Sequence, residues 1–80
     1  MSRRIDPSWT VLESVENEHH DRCVDFFRRP DGSWGFEEFR RDVEDQGAWT
    51  PVAFYSARCF ATPADARDAA DAAVPWLRAA

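Results

Sequence analysis

Polar and apolar residues alternate along the first two thirds of the chain, which is the pattern of half-buried β-strands. Residues 9–15 (WTVLESV) place Trp9, Val11, Glu13 and Val15 on one side of a strand. Residues 22–29 (RCVDFFRR) are rich in residues that favour strands and predict a second one. Residues 50–60 (TPVAFYSARCF) predict another strand, with Pro51 at its start or on a sheet edge.

A turn signal separates the second strand from the aromatic stretch that follows it. Asp31-Gly32 between two such stretches is a strong short-range signal for a β-hairpin. A two-residue turn there predicts that Arg29 faces Trp34, Phe27 faces Phe36, Asp25 faces Glu38 and Cys23 faces Arg40. In that register one face of the hairpin carries Phe39, Val24 and Phe26, and the other face carries Trp34, Phe36 and Phe27.

Residues 36–43 are compatible with a helix as well as with a strand. Ser33 is a suitable N-cap, and Phe36, Phe39 and Val43 have helical spacing. Gly35 and the upstream turn signal disfavour a helix, however, because glycine is a poor helix former. The strand is therefore the favoured interpretation of this stretch.

The last third of the chain predicts a helix with clear end signals. Thr62 is a suitable N-cap, Pro63 suits the first helical position, and Pro75 ends the helix. Trp76 and Leu77 are expected to fold back onto the sheet. The sequence thus predicts one α+β domain over residues 1–80, with residues 1–7 flexible. Its architecture is a four-stranded antiparallel β-meander with one C-terminal helix on one face (ββββα).

Aromatic residues are abundant for so short a chain and suggest an association surface. The 80 residues include four Trp, six Phe and one Tyr. A single helix covers only one face of the sheet, so we expect Phe27, Trp34, Phe36 and Tyr55 to form an apolar patch on the open face. The sequence therefore predicts a small non-enzymatic interaction module. It forms either a homodimer through that face or a monomer in which loops such as Glu44–Trp49 cover the patch.

An alternative function uses the same face to bind nucleic acid or a small ligand. Arg29 and Arg40 beside Trp34 and Phe36 would resemble a stacking platform for single strands. The formal net charge of −5 disfavours nucleic acid, because phosphates would be repelled by the acidic chain. The sequence has no long apolar segment, so we expect no membrane contact, a cytoplasmic location and reduced cysteines.

Candidate catalytic and metal-binding residues are each better explained by structural roles. His19, His20 and Cys23 are possible ligands, but adjacent histidines in an extended chain point in opposite directions. We therefore predict no metal, no cofactor and no catalytic residue. Glu37 and Glu38 are expected to belong to a solvated, ion-paired surface.

Several stretches resemble a group of small uncharacterised bacterial proteins of unknown function. They are DRCVDFFRRPDGSWGFEEFRRD, GAWTPVAFYSARCF and the closing VPWL. The meander closed by an alanine-rich helix is similar in topology to the YegP-like modules, although the chain lacks their repeated unit. The resemblance implies no catalytic residue and no ligand.

Overall fold

The computed structural model of the protein describes residues 5–42 and 47–79. The four strands, in chain order, form an antiparallel sheet of order β1-β2-β3-β4, and one helix follows them. The elements are β1 (Thr10–Glu16), β2 (Arg22–Arg28), β3 (Trp34–Arg41), β4 (Trp49–Pro51) and α1 (Pro63–Ala73), with 3₁₀ turns at Tyr55–Ala57 and Leu77–Ala79. The predicted α+β meander and the strand over residues 36–41 are confirmed. Residues 1–4, 43–46 and 80 lie outside the described residues, so the expectations for Val43 and for most of the segment 1–7 do too.

The hairpin between β2 and β3 has a three-residue loop, so the predicted register is wrong by one residue. Arg29 and Ser33 are hydrogen-bonded, and the Gly32 N–H donates to the Arg29 carbonyl at 2.9 Å. Gly32 has φ of +89°, which glycine adopts without the strain that a side chain would cause. Phe26 consequently faces Phe36, and Asp25 faces Glu37.

The alternation predicted for the first strand is interrupted by a β-bulge. The pairing with β2 shifts between Val11 and Glu13, which leaves Leu12 as the extra residue. Val11 therefore lies opposite Phe27, and Val15 lies opposite Val24, on the other face of the sheet. The two valines, predicted to share one face, do not.

The fourth strand is much shorter than predicted. It ends at Pro51, and the chain then bends into the 3₁₀ turn Tyr55–Ala57 before Phe60 pairs with Trp34 through a single bridge. Proline cannot donate a ladder hydrogen bond, and Phe54 adopts a left-handed conformation that extended strands do not contain.

The helix and its caps agree with the prediction. The Thr62 hydroxyl accepts a hydrogen bond from the Asp65 N–H at 3.1 Å, and α1 ends just before Pro75. Its small side chains pack on the sheet, and Leu77 is buried behind them. The core beneath the helix contains Val24, Phe26, Phe36, Ala70, Val74 and Leu77.

The other face of the sheet is also buried, without a helix to cover it. Phe27, Phe39 and Cys23 are fully buried there, and the indole of Trp9 stacks on Phe27 with ring centroids 4.7 Å apart. The expected face is therefore not open at these residues, and the Trp9 ring covers part of it by stacking on Phe27.

Candidate interaction site

The six residues predicted to line one binding face are divided between the two faces of the sheet. Phe27 and Phe36 are both fully buried, on opposite sides. The ring of Tyr55 stacks on Phe36 at 5.1 Å, at the margin of the helix-side core. Arg29 lies on the side of Phe27, whereas Trp34 and Arg40 lie on the side of Phe36. The stacking platform required by the predicted face is not assembled from these side chains.

Arg29 is buried and is used within the fold. Only 9% of the residue is exposed, and its guanidinium lies 4.6 Å from the ring centre of Trp9. Its Nη2 donates to the carbonyls of Ser56 and Arg58, and its Nη1 donates to the carbonyl of Trp34. Arg29 thus joins the start of β3 to the end of the 3₁₀ turn Tyr55–Ala57.

Glu37 holds the other end of that same turn. Its carboxylate accepts the Tyr55 N–H at 2.8 Å and the Ser56 N–H at 3.1 Å, and the residue is 3% exposed. A carboxylate at these two amides satisfies donors that the first turn leaves unpaired. Two buried charged residues, Arg29 directly after β2 and Glu37 in β3, therefore hold both ends of the turn.

The fixed turn is preceded by four consecutive exposed apolar residues, which we call the tip: Pro51, Val52, Ala53 and Phe54. Phe54 is 73% exposed, and its backbone has φ of 49° and ψ of 40°. Residues other than glycine, asparagine and aspartate rarely adopt this left-handed backbone conformation, because their Cβ atom crowds the following carbonyl. The tip therefore combines exposure, backbone strain and a rigid support.

A groove of about 330 Å³ lies between β1 and the start of α1. Its lining is mostly apolar and includes Leu12, which is 54% exposed. At the rim, Arg67 Nη1 lies 3.5 Å from the Glu13 carboxylate, and its guanidinium lies over the ring of Phe26. The groove reaches from β1 to the first residues of β3, Trp34 and Gly35, and none of the tip residues lines it.

The residues considered as metal ligands are dispersed. His20 Nδ1 lies 2.7 Å from the Glu16 carboxylate in the exposed loop after β1, whereas the buried Cys23 thiol donates to Asp25. Cys59 is exposed in the segment before α1. Over residues 5–42 and 47–79, no three His, Cys, Asp or Glu side chains lie close enough together to hold a metal.

Two exposed loop carboxylates are held in their charged form by local hydrogen bonds. The Asn17 side-chain amide lowers the pKa of Asp21, and the Ser33 backbone N–H lowers the pKa of Asp31. Both contacts stabilise tight turns at the ends of β2.

Sequence reasoning missed the buried carboxylates and the tip. Glu37 and Glu38, expected in solvent, are 3% and 5% exposed, and Glu38 accepts the Trp76 indole N–H at 2.9 Å. The strand pattern around Phe54 concealed its exposure, and only Pro51 gave a signal that β4 ends early.

Comparison with protein-family models, curated proteins and solved structures finds no match to this chain. The resemblance to small bacterial proteins and to YegP-like modules therefore stays a prediction. In the part of the chain that the structure describes, none of the helices has the length and apolar character needed to cross a membrane.

Proposed function

We propose that the protein is a small non-enzymatic binding module that presents the tip to a protein partner. The observation that carries the proposal is Phe54, a large aromatic residue that is 73% exposed in a left-handed backbone conformation. Such a residue contributes little to the core and costs backbone strain. The backbone strain at Phe54 in the free protein is explained if the phenyl ring is buried in a complex.

The support of the tip favours binding with a small entropic penalty. Glu37 and Arg29 fix the turn that follows Phe54, so fewer loop conformations are lost when a partner binds. Aromatic side chains held in this way are typical interface anchors, because each buries about 150–250 Å² with few rotatable bonds.

The partner expected from this chemistry is a protein with an apolar pocket that admits a phenyl ring. The tip carries no charged side chain, so its recognition depends on shape and apolar burial. A lipid surface is a poorer match, because the chain has a net charge of −5 and the tip offers one aromatic ring.

Site-specific photo-crosslinking tests this function. A benzophenone amino acid replaces Phe54, and the matched control carries it at Asp68, an exposed position of α1. In extract of the source cells, we expect one discrete adduct from position 54 and none of that mass from position 68. Excess native protein should compete the adduct away, whereas excess Phe54→Ser protein should not. No adduct at position 54, or equal competition by both proteins, would contradict the proposal.

A further inference from the structure

We propose that a second copy of the chain pairs with β1 in antiparallel orientation, centred on Val15, to form one continuous eight-stranded sheet. The sheet face expected to form a dimer is not open, but no strand within residues 5–42 and 47–79 pairs with the outer edge of β1. Six of the seven β1 residues are exposed, and Val15 is half-buried. The opposite edge is formed by only three residues and ends in Pro51, so β1 is the longer template for strand addition.

The hydrogen-bond pattern shows which backbone groups of β1 point away from the sheet. The Asn17 N–H donates to the Arg22 carbonyl at 3.0 Å, so this pair belongs to the hydrogen-bonded class. Hydrogen-bonded and non-hydrogen-bonded pairs alternate along antiparallel strands. The pairs of Ser14 with Asp25 and of Glu16 with Cys23 are therefore non-hydrogen-bonded pairs. Ser14 and Glu16 therefore direct their N–H and C=O groups toward the open edge.

A two-fold axis at Val15 uses all of these groups. It places Ser14 opposite Glu16 of the partner subunit and Glu16 opposite Ser14 of the partner subunit, which allows four main-chain hydrogen bonds. The two Val15 side chains then face each other at the closer, non-hydrogen-bonded spacing. Val15 already packs against the helix-side core, so this contact would extend that core across the axis.

Neighbouring registers are less favourable. An axis at Glu13 places two Glu13 carboxylates directly opposite each other, which destabilises a strand pair. An axis at Ser14 requires Leu12 to pair with Glu16 of the partner subunit, but Leu12 is the extra residue of the bulge. With the axis at Val15, no carboxylate of one subunit lies directly opposite a carboxylate of the other.

Features that normally protect an edge occupy only the first half of β1. The bulge lies at Leu12, and Glu13 is drawn toward the helix by Arg67. From Ser14 to Glu16 the strand has no proline and no bulge, and Glu16 is its one charged residue. The proposed register places Glu16 opposite the uncharged Ser14 of the partner subunit, so the less protected half of the strand is the half that it uses.

Dimerisation through β1 would leave both tips free. The sheet order places β1 at one edge and β4, which leads into the tip, at the other. The dimer would present two tips at opposite ends of the sheet, and a partner with two pockets would bind it with increased avidity. The dimer and the tip function stand on separate observations, and each can fail alone.

Two substitutions at one position test the proposal. Glu16→Pro removes an outward N–H and suits an edge strand, whereas Glu16→Ala removes the same side chain and keeps the N–H. By sedimentation between about 1 µM and 1 mM, we expect native protein and Glu16→Ala to dimerise, and Glu16→Pro to associate at least about tenfold more weakly. Circular dichroism checks that both variants are folded. A native chain that stays monomeric, or Glu16→Pro that dimerises like native protein, would overturn the proposal.

Hydrogen exchange of the native chain provides a test that does not depend on folding of a variant. The amides of Ser14 and Glu16 should become more protected as protein concentration rises, while the amides of Ala53 and Phe54 in the tip should not. Equal protection at all concentrations would overturn the proposal. Loss of the dimer in Phe54→Ser but not in Glu16→Pro would instead place the contact at the tip and would overturn it too.

Discussion

At the scale of single residues, the buried charged residues Arg29 and Glu37 have structural roles that the amino-acid composition does not indicate. Arg29 directly follows β2 and Glu37 lies in β3, and each is hydrogen-bonded to backbone at the same 3₁₀ turn. Burial of a charge is tolerated where hydrogen bonds replace its lost hydration. Here those bonds also satisfy the polar backbone of an irregular segment, which would otherwise be costly to bury.

Replacement of Arg29 by lysine should destabilise the fold although it conserves the charge. An ammonium group cannot reach the carbonyls of Trp34, Ser56 and Arg58 together in the geometry of a guanidinium fork. We expect a loss of about 2 kcal/mol in the free energy of unfolding, because these partly buried carbonyls would lose their donors. Denaturant titration measures this loss. The matched control, Arg28→Lys at an exposed position, should change the free energy by less than about 0.5 kcal/mol. Equal effects at both positions would contradict this role of Arg29.

Phe54 offers the opposite prediction, a substitution that stabilises. Asparagine tolerates the left-handed conformation better than phenylalanine, and the mostly exposed ring contributes little burial. Phe54→Asn should raise the free energy of unfolding by about 1 kcal/mol, which corresponds to a rise in Tm of about 4–8 °C for a domain of this size. Val52→Asn, at an exposed neighbouring site in the tip, should leave Tm nearly unchanged. A fall in Tm for Phe54→Asn would show that the ring has a packing role.

At the scale of elements, the sequence predicted best where local chemistry acts alone. The start of α1 after Thr62 and its end before Pro75 depend on residues within one turn, and both were predicted correctly. The β2–β3 hairpin was located correctly, but its register depends on loop length, and Pro30 joins Asp31 and Gly32 in the loop. The bulge at Leu12 depends on pairing with a distant strand, and no local pattern at Leu12 indicates it.

The same dependence on distant partners explains what was missed at the candidate site. A carboxylate in an alternating pattern, such as Glu37, looks solvent-exposed until the segment that crosses it is known. That segment is placed by the turn after Pro51, which a prediction of one long strand through residues 50–60 excluded. The tip thus became visible only when tertiary contacts were in place.

The turn conformation at Gly32 can be tested separately from packing. A Cβ added at Gly32 would meet no atom within 4 Å, so the cost of Gly32→Ala is conformational. We expect Gly32→Ala to lower the free energy of unfolding by about 1 kcal/mol, and Gly32→Asn to lower it less, because asparagine tolerates positive φ. Thermal unfolding compares the two variants. If Gly32→Ala and Gly32→Asn lower the free energy of unfolding equally, the positive φ at Gly32 does not determine the cost of substitution.

At the scale of the whole molecule, the two faces of the sheet are closed by different means. Helix α1 and Leu77 cover one face, while the Trp9 ring covers part of the other face by stacking on Phe27. Within residues 5–42 and 47–79, the exposed large hydrophobic residues lie near the two sheet edges: Val11, Leu12, Val52 and Phe54. Association is therefore expected at edges, a conclusion that reverses the sequence-based expectation of a face.

The proposed dimer makes the stability of the molecule depend on its concentration. Anything that binds only the folded state stabilises it by mass action, and a second folded copy is such a ligand. Near the dissociation constant, a hundredfold increase in concentration should raise the Tm of native protein by several degrees, up to roughly 5–10 °C. Glu16→Ala should show a similar rise. Glu16→Pro should unfold at nearly the same temperature across that range, because the backbone donor that pairs the two edges is gone. A Tm of native protein that does not change with concentration would argue against self-association through β1, and it would leave the tip, at the opposite edge, as the interaction surface of a monomer.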